Sequence, residues 1–191
     1  EDARRMGGDQ WPPDWDRMAY HDFQYDQTFN VAGIDMGDGW DDFVRNSQAY
    51  QARLLKFSIE RYRQAKYTRL GGMFQFMFMD CWPSITWSVV EYDRTPKQAY
   101  HTLVQVYQPV LIGWNAARET HIAGYVPTNR PRPLTIMPWV VNARVEALEG
   151  CTYSITIEGG GFQRTWASLS PFDVPADGVL EQGPRMVLTD L

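Results

Sequence analysis

The run Gly71 to Tyr92, GGMFQFMFMDCWPSITWSVVEY, constrains this chain more than any other stretch. It is apolar almost without interruption from Met73 to Met79, halts at Asp80, and continues with Trp82 and Trp87. A short run of that kind, rich in Phe and Met and entered through Gly71-Gly72, predicts a strand buried on both faces, as in parallel sheets. A carboxylate and two indoles then arrive at the strand's C-terminal end, where α/β barrels build their active sites.

The flanks fit an α/β alternation. From Asp41 to about Tyr67, Phe43, Tyr50, Leu54 and Phe57 recur at helical spacing with Leu55, Ile59 and Tyr62 beside them, which predicts one buried helix face. Asp41 and Asp42 at the start and Arg61, Arg63 and Lys66 at the end complement the helix dipole. A second helix is expected over 96–108, with Thr95 as N-cap, Pro96 at the first helical position, Gln98 as capping-box partner and Pro109 as terminator. Helix, buried strand and helix in succession accompany a parallel sheet.

After Pro109 the pattern becomes all-β. PVLIGW, PLTIMPWVVNA, CTYSITIE and RTWASLS are short alternating or β-branched runs separated by turn-rich segments, which predicts an antiparallel sandwich. About four strands are visible, where an immunoglobulin-like sandwich has roughly seven. The Gly159–Gly161 triplet reads as a hairpin turn, since no helix follows it to make a phosphate loop. One doubly buried strand also needs neighbours on both edges. The expectation is therefore a segment of a larger polypeptide, poorly stable alone, with residues 1–108 from one domain and 109–191 from a partial sandwich domain.

Residues 1–40 hold WPPDW, DFQYDQTF and GIDMGDGW without a sustained period, as an irregular lid or binding loop would. Trp11, Trp15, His21, Asp22 and Trp40 there are either ligand contacts or anchors of a surface loop. The net charge of −5 offers no basic face for nucleic acid. No apolar stretch reaches the roughly 18–20 residues of a membrane span. Nothing in the chain identifies a compartment. Cys81 and Cys151 read as free thiols, with a bridge between them as the lesser alternative. His21, His101 and His121 lack metal-ligand spacing, and no cofactor motif is present.

Three series, Ser47 to Arg63, Gly71 to Tyr92 and Thr95 to His101, together resemble glycoside hydrolase family 2, nearest its β-mannosidase-like branch. The pattern D-x-W-P-S-x-x-W-S-x-x-[DE]-Y followed by P-K-x-A-Y is the specific part, and the likeness extends over about residues 41–157. It implies the last strand and helices of a (β/α)8 TIM barrel, then the start of a β-sandwich at Trp139 to Ala143. The family commonly has W-Q-x-N-D-x-W along this strand. Asp80 and Trp82 match that motif, whereas Phe76, Met77 and Met79 replace an indole and two amides with apolar surface.

The resemblance implies a retaining exo-β-glycosidase with two catalytic glutamates about 5 to 5.5 Å apart. Both would lie on earlier barrel strands outside this chain, so no catalytic residue is assigned here. A β-mannosidase is the first expectation, with exo-β-glucosaminidase or β-galactosidase as alternatives within the class. A carbohydrate-binding or scaffolding relative that has lost its chemistry is the alternative outside it. The expected partners are an oligosaccharide or glycoside substrate and the remainder of the parent polypeptide. Candidate sugar contacts are Asp80, Trp82, Phe76 and His21. Asp80 either accepts from a sugar hydroxyl or holds a loop, and Trp82 either stacks on pyranose C–H groups or packs in a core. Trp87 is assigned to packing.

Overall fold

The computed structural model describes residues 11, 31–83, 86–116, 134–168, 170–181 and 186–188. These form two compact units: the chain up to Tyr62 with Gly72–Tyr107, and Arg63–Gly71 with the chain from Gln108 onward.

In the first unit, α1 spans Trp40–Gln64 and α2 spans Gln98–Val106. Helix α1 opens on Asp41 and Asp42, which suit the positive end of its dipole. Ile59 is buried, and Ala52 and Leu55 pack into the same core with Val89, Val90, Ala99, Leu103 and Val106. The expected stripe is corrected here. Leu54 and Phe57 are about half exposed, and the buried face is the adjacent 52–55–59 row. Both rows satisfy the helical period, so periodicity alone does not choose between them.

Helix α2 buries Ala99, Leu103 and Val106, at spacings of four and three. Its N-cap is Lys97 rather than Thr95, and the Lys97 side chain makes no cap hydrogen bond; the Gln98 N–H donates instead to Gln48 Oε1 at 3.1 Å. The backbone before it is already committed elsewhere. Val90 bridges Pro96, the Glu91 N–H donates to the Thr95 carbonyl, and the Lys97 N–H donates to the Val89 carbonyl. Residues 95–97 therefore stay extended, and Pro96 falls outside the helix.

The doubly buried strand over 73–79 is also corrected. Among the described residues this segment joins no ladder beyond one bridge between Met79 and Val90. Phe74 is 98% exposed and Phe76 70%. Met77 adopts a left-handed φ of 56°, which interrupts an extended run. A strand of this composition forms only against neighbouring backbones, and the described residues supply one, at 89–90, on a single side.

The second unit is sandwich-like and antiparallel. Strand β1 (Val110–Ala116) pairs with β2 (Leu134–Asn142), which also pairs with β7 (Gly178–Leu180) and β8 (Met186–Leu188). Two further ladders join β3 (Leu148–Cys151) to β6 (Phe172–Val174) and β4 (Ser154–Gly159) to β5 (Phe162–Ala167). Ile136 of β2 is buried against Ile155, Ile157 and Trp166, so the β4–β5 hairpin packs onto the larger sheet. Eight strands are described where the sequence patterns suggested four. The extra strands are β3, of four residues, and β6, β7 and β8, of three each, too short to show alternation.

The β4–β5 turn does use the glycine triplet. Gly159 pairs with Phe162, and Gly160 and Gly161 take φ values of 57° and 83° between them. Two consecutive positive φ values fit a tight hairpin turn and favour glycine. Cys81 and Cys151 are free thiols.

Candidate functional site

The site is built where residues 78–80, 88–91 and 95–97 meet. Val89 and Val90 lie between the other two segments. The Asp80 N–H donates to the Val90 carbonyl at 3.1 Å, and the Val90 N–H donates to the Phe78 carbonyl at 3.0 Å. From α1, the Gln51 side-chain amide donates to the Trp87 and Ser88 carbonyls at 2.9 and 3.0 Å. Val89 and Ser88 are fully buried, so this backbone can find its hydrogen bonds only within the protein.

Asp80 is 2% exposed, and its carboxylate faces inward. It accepts from the Thr86 hydroxyl, from Ser88 Oγ at 2.6 Å and from Lys97 Nζ at 3.4 Å. Lys97 Nζ also donates to Ser88 Oγ at 2.9 Å and lies 3.7 Å from Glu91 Oε1. A buried carboxylate with three donors is satisfied where it stands. Nearby, Asp93 accepts from the Thr95 N–H at 2.9 Å, and this bond holds its carboxyl below the usual carboxylate range.

The aromatic candidates are on the outside. Trp82 is 51% exposed, and Phe76 stacks on Trp87 with ring centroids 6.2 Å apart and planes 29° apart. Such a pair presents apolar ring surface of the type that C–H-rich sugar faces contact. Trp87, expected to pack, is therefore a partner of Phe76 on a half-exposed surface. His21, Trp15 and Asp22 lie outside the described residues. Trp11 meets Trp40 edge-on at 5.3 Å, and Trp40 meets Phe43 in the same manner at 6.2 Å, an aromatic chain of the anchoring type.

The structure thus brings Asp80, Thr86, Ser88 and Lys97 together, and separately Phe76 and Trp87. Lys97 is the member of the first cluster that residue-by-residue reading overlooked. Its place in the P-K-x-A-Y motif was visible, but a lysine at the start of a helix gives no sign of burial. Among the described residues no group of three or more His, Cys, Asp or Glu could hold a metal ion. None of their helices is long and apolar enough to cross a membrane.

No protein-family model matches the chain. Among curated proteins, it is similar to β-mannosidase B of Aspergillus fumigatus, with 25% identity over 125 residues, covering 64% of this chain and 15% of that protein. The corresponding β-mannosidase B of Aspergillus niger is 26% identical over the same shares. Among solved structures, β-D-mannosidase from Dictyoglomus thermophilum shares the fold, with a TM-score of 0.61 and 19% identity over 84% of this chain and 18% of that one. The chain is a relative of the glycoside hydrolases. More narrowly, it is a β-mannosidase-like relative of glycoside hydrolase family 2, as the motifs between Ser47 and His101 implied. It spans about 15% of the length of the curated relatives it matches.

Proposed function

We propose that this chain is one segment of a retaining exo-β-glycosidase acting on β-linked mannosides. In this reading residues 1–108 close a catalytic (β/α)8 barrel, and 109–191 begin the sandwich domain that follows it. The two catalytic glutamates belong to the rest of the polypeptide. Trp82, Phe76 and His21 contact the sugar, and Asp80 fixes the backbone two residues before Trp82.

The observation that carries the reading is the exposed row Phe74, Phe76, Phe78 and Met79, placed directly before Asp80 and Trp82 in a chain related to β-mannosidases. Soluble proteins rarely leave several large apolar side chains this close together bare. Neighbouring barrel strands would cover most of them, leaving the rings nearest Trp82 for substrate.

The test is turnover by the full-length protein on aryl β-mannoside, β-glucosaminide and β-galactoside. Cleavage of the mannoside with net retention of anomeric configuration is expected, and Trp82→Ala should raise KM. Failure on all three would overturn the reading. It would instead favour a carbohydrate-binding relative without catalysis, which the apolar residues Phe76, Met77 and Met79 in place of indole and amides would fit.

A further inference from the structure

Lys97 sits in an unfavourable place for a cation. It is the N-cap of α2, where the helix dipole is positive, and the first turn of that helix contains no acidic residue. It is also only 6% exposed, and an ammonium group is buried only at substantial cost unless it is paired. Propensity and capping preference would place Ser, Thr, Asp or Asn here instead. What retains the lysine is its set of partners: Asp80 at 3.4 Å, Ser88 Oγ at 2.9 Å, the Thr86 carbonyl at 3.5 Å and Glu91 at 3.7 Å.

Those partners come from successive passes of the chain, so one ammonium group ties together residues 80, 86, 88 and 91 with the entry to α2. Asp80 is two residues before Trp82, and Ser88 directly follows Trp87. The exposed indoles thus spring from backbone fixed by buried charge. Resting on the glycosidase reading, we infer that Lys97 is a positioning residue: through Asp80 and Ser88 it fixes the backbone beside Trp82 and Trp87, and so sets where the rings meet the sugar.

The inference predicts a split between binding and chemistry. In the full-length protein, Lys97→Met should raise KM for an aryl β-mannoside about tenfold and change kcat by less than about threefold, the pattern of lost ground-state and transition-state binding alike. Hydrogen exchange at the Asp80, Val89 and Val90 amides should accelerate on the order of a hundredfold, as local opening becomes easier. The double variant Lys97→Met/Asp80→Asn removes both charges and should recover most of the lost thermal stability, because no unpaired charge stays buried. It should keep the raised KM, which a merely structural role would not explain. Full recovery of KM in the double variant, or unchanged exchange at those three amides in Lys97→Met, would overturn the inference. If the wild-type protein cleaves no glycoside, the glycosidase reading fails. Amide exchange, together with the line width of the Trp82 indole resonance, then decides separately whether Lys97 fixes this backbone.

Discussion

Asp80→Ala separates the two roles that the sequence leaves open for this residue, sugar ligand or internal support. The substitution removes the acceptor of two hydroxyl hydrogen bonds and leaves Lys97 without its more deeply buried carboxylate partner. Breaking one side of a buried ion pair costs about 3–5 kcal/mol, mainly through the charge left behind. Here Lys97 retains Ser88 Oγ at 2.9 Å and Glu91 at 3.7 Å, and Glu91 is the more solvent-accessible partner. The loss should therefore fall near the lower end, about 3 kcal/mol. For the 191-residue chain unfolding as one cooperative whole, this corresponds to a fall in melting temperature of roughly 6–12 °C. Asp80→Asn, which keeps the volume and one acceptor oxygen, should cost less, about 1–2 kcal/mol. The assay is urea denaturation of the full chain followed by tryptophan fluorescence, with the slope of the transition checked for constancy. A loss below about 1 kcal/mol for Asp80→Ala, combined with a raised KM, would refute the supporting role and return Asp80 to the sugar.

Three other perturbations test the scaffold. A Cβ on Gly113 would come within 2.6 and 2.7 Å of Trp139 indole carbons, and Trp139 is only 2% exposed, so Gly113→Ala should destabilise the sandwich unit by about 1–3 kcal/mol in equilibrium unfolding. Leu103→Ala should cost about 2–5 kcal/mol in the same measurement, through a cavity between α2 and α1. Asp177 accepts from Lys66 and from the Tyr67 hydroxyl, and these bonds, Lys66 first, hold its carboxyl below 3.8, while Asp177 raises the Tyr67 hydroxyl above 10.0. The Asp177 contribution is then present above pH 3.8 and lost as pH falls through the lowered folded value, and the Tyr67 contribution is full below pH 10.0 and lost as pH rises through the raised one. Asp177→Asn should flatten both edges of the stability–pH curve, and a curve unchanged by it would remove the cluster from the account.

How much could be read in advance depended on how local each determinant is. Helix α1 was legible from a period sustained over 25 residues, though not its buried face, because Leu54 and Phe57 continue a second row as regular as 52–55–59. The short strands β6 to β8 were invisible, since three residues cannot display alternation and their pairing with β3 and β2 is decided by tertiary contact. The start of α2 was misplaced because Thr95, Pro96 and Gln98 form a good capping signal, and that signal lost to backbone pairing with residues 89–91. The sequence singled out Asp80 as a candidate sugar contact, and the structure turns its carboxylate inward. Its inward orientation depended on Lys97, seventeen residues away, whose burial no local pattern reveals.

The same distinction explains why one half of the motif keeps its shape and the other does not. Asp80, Thr86, Ser88, Glu91 and Lys97 lie within eighteen consecutive residues, and their charges and hydroxyls pair with one another, so most of this network closes locally, joined from α1 by Gln51 at the Ser88 carbonyl. Met73 to Met79 has no such recourse. Its side chains are apolar apart from Gln75, its backbone needs strand partners on both edges, and the described residues offer one short partner at 89–90. Burying Phe74, which is 98% exposed, is alone worth roughly 1.5–3 kcal/mol, so neighbouring strands have several such side chains to gain from. Adding the neighbours should therefore order residues 73–79 and leave the geometry around Lys97 almost unchanged. A large rearrangement of the Asp80–Ser88–Lys97 contacts in an experimental structure of the full-length protein would show that the network is not self-sufficient.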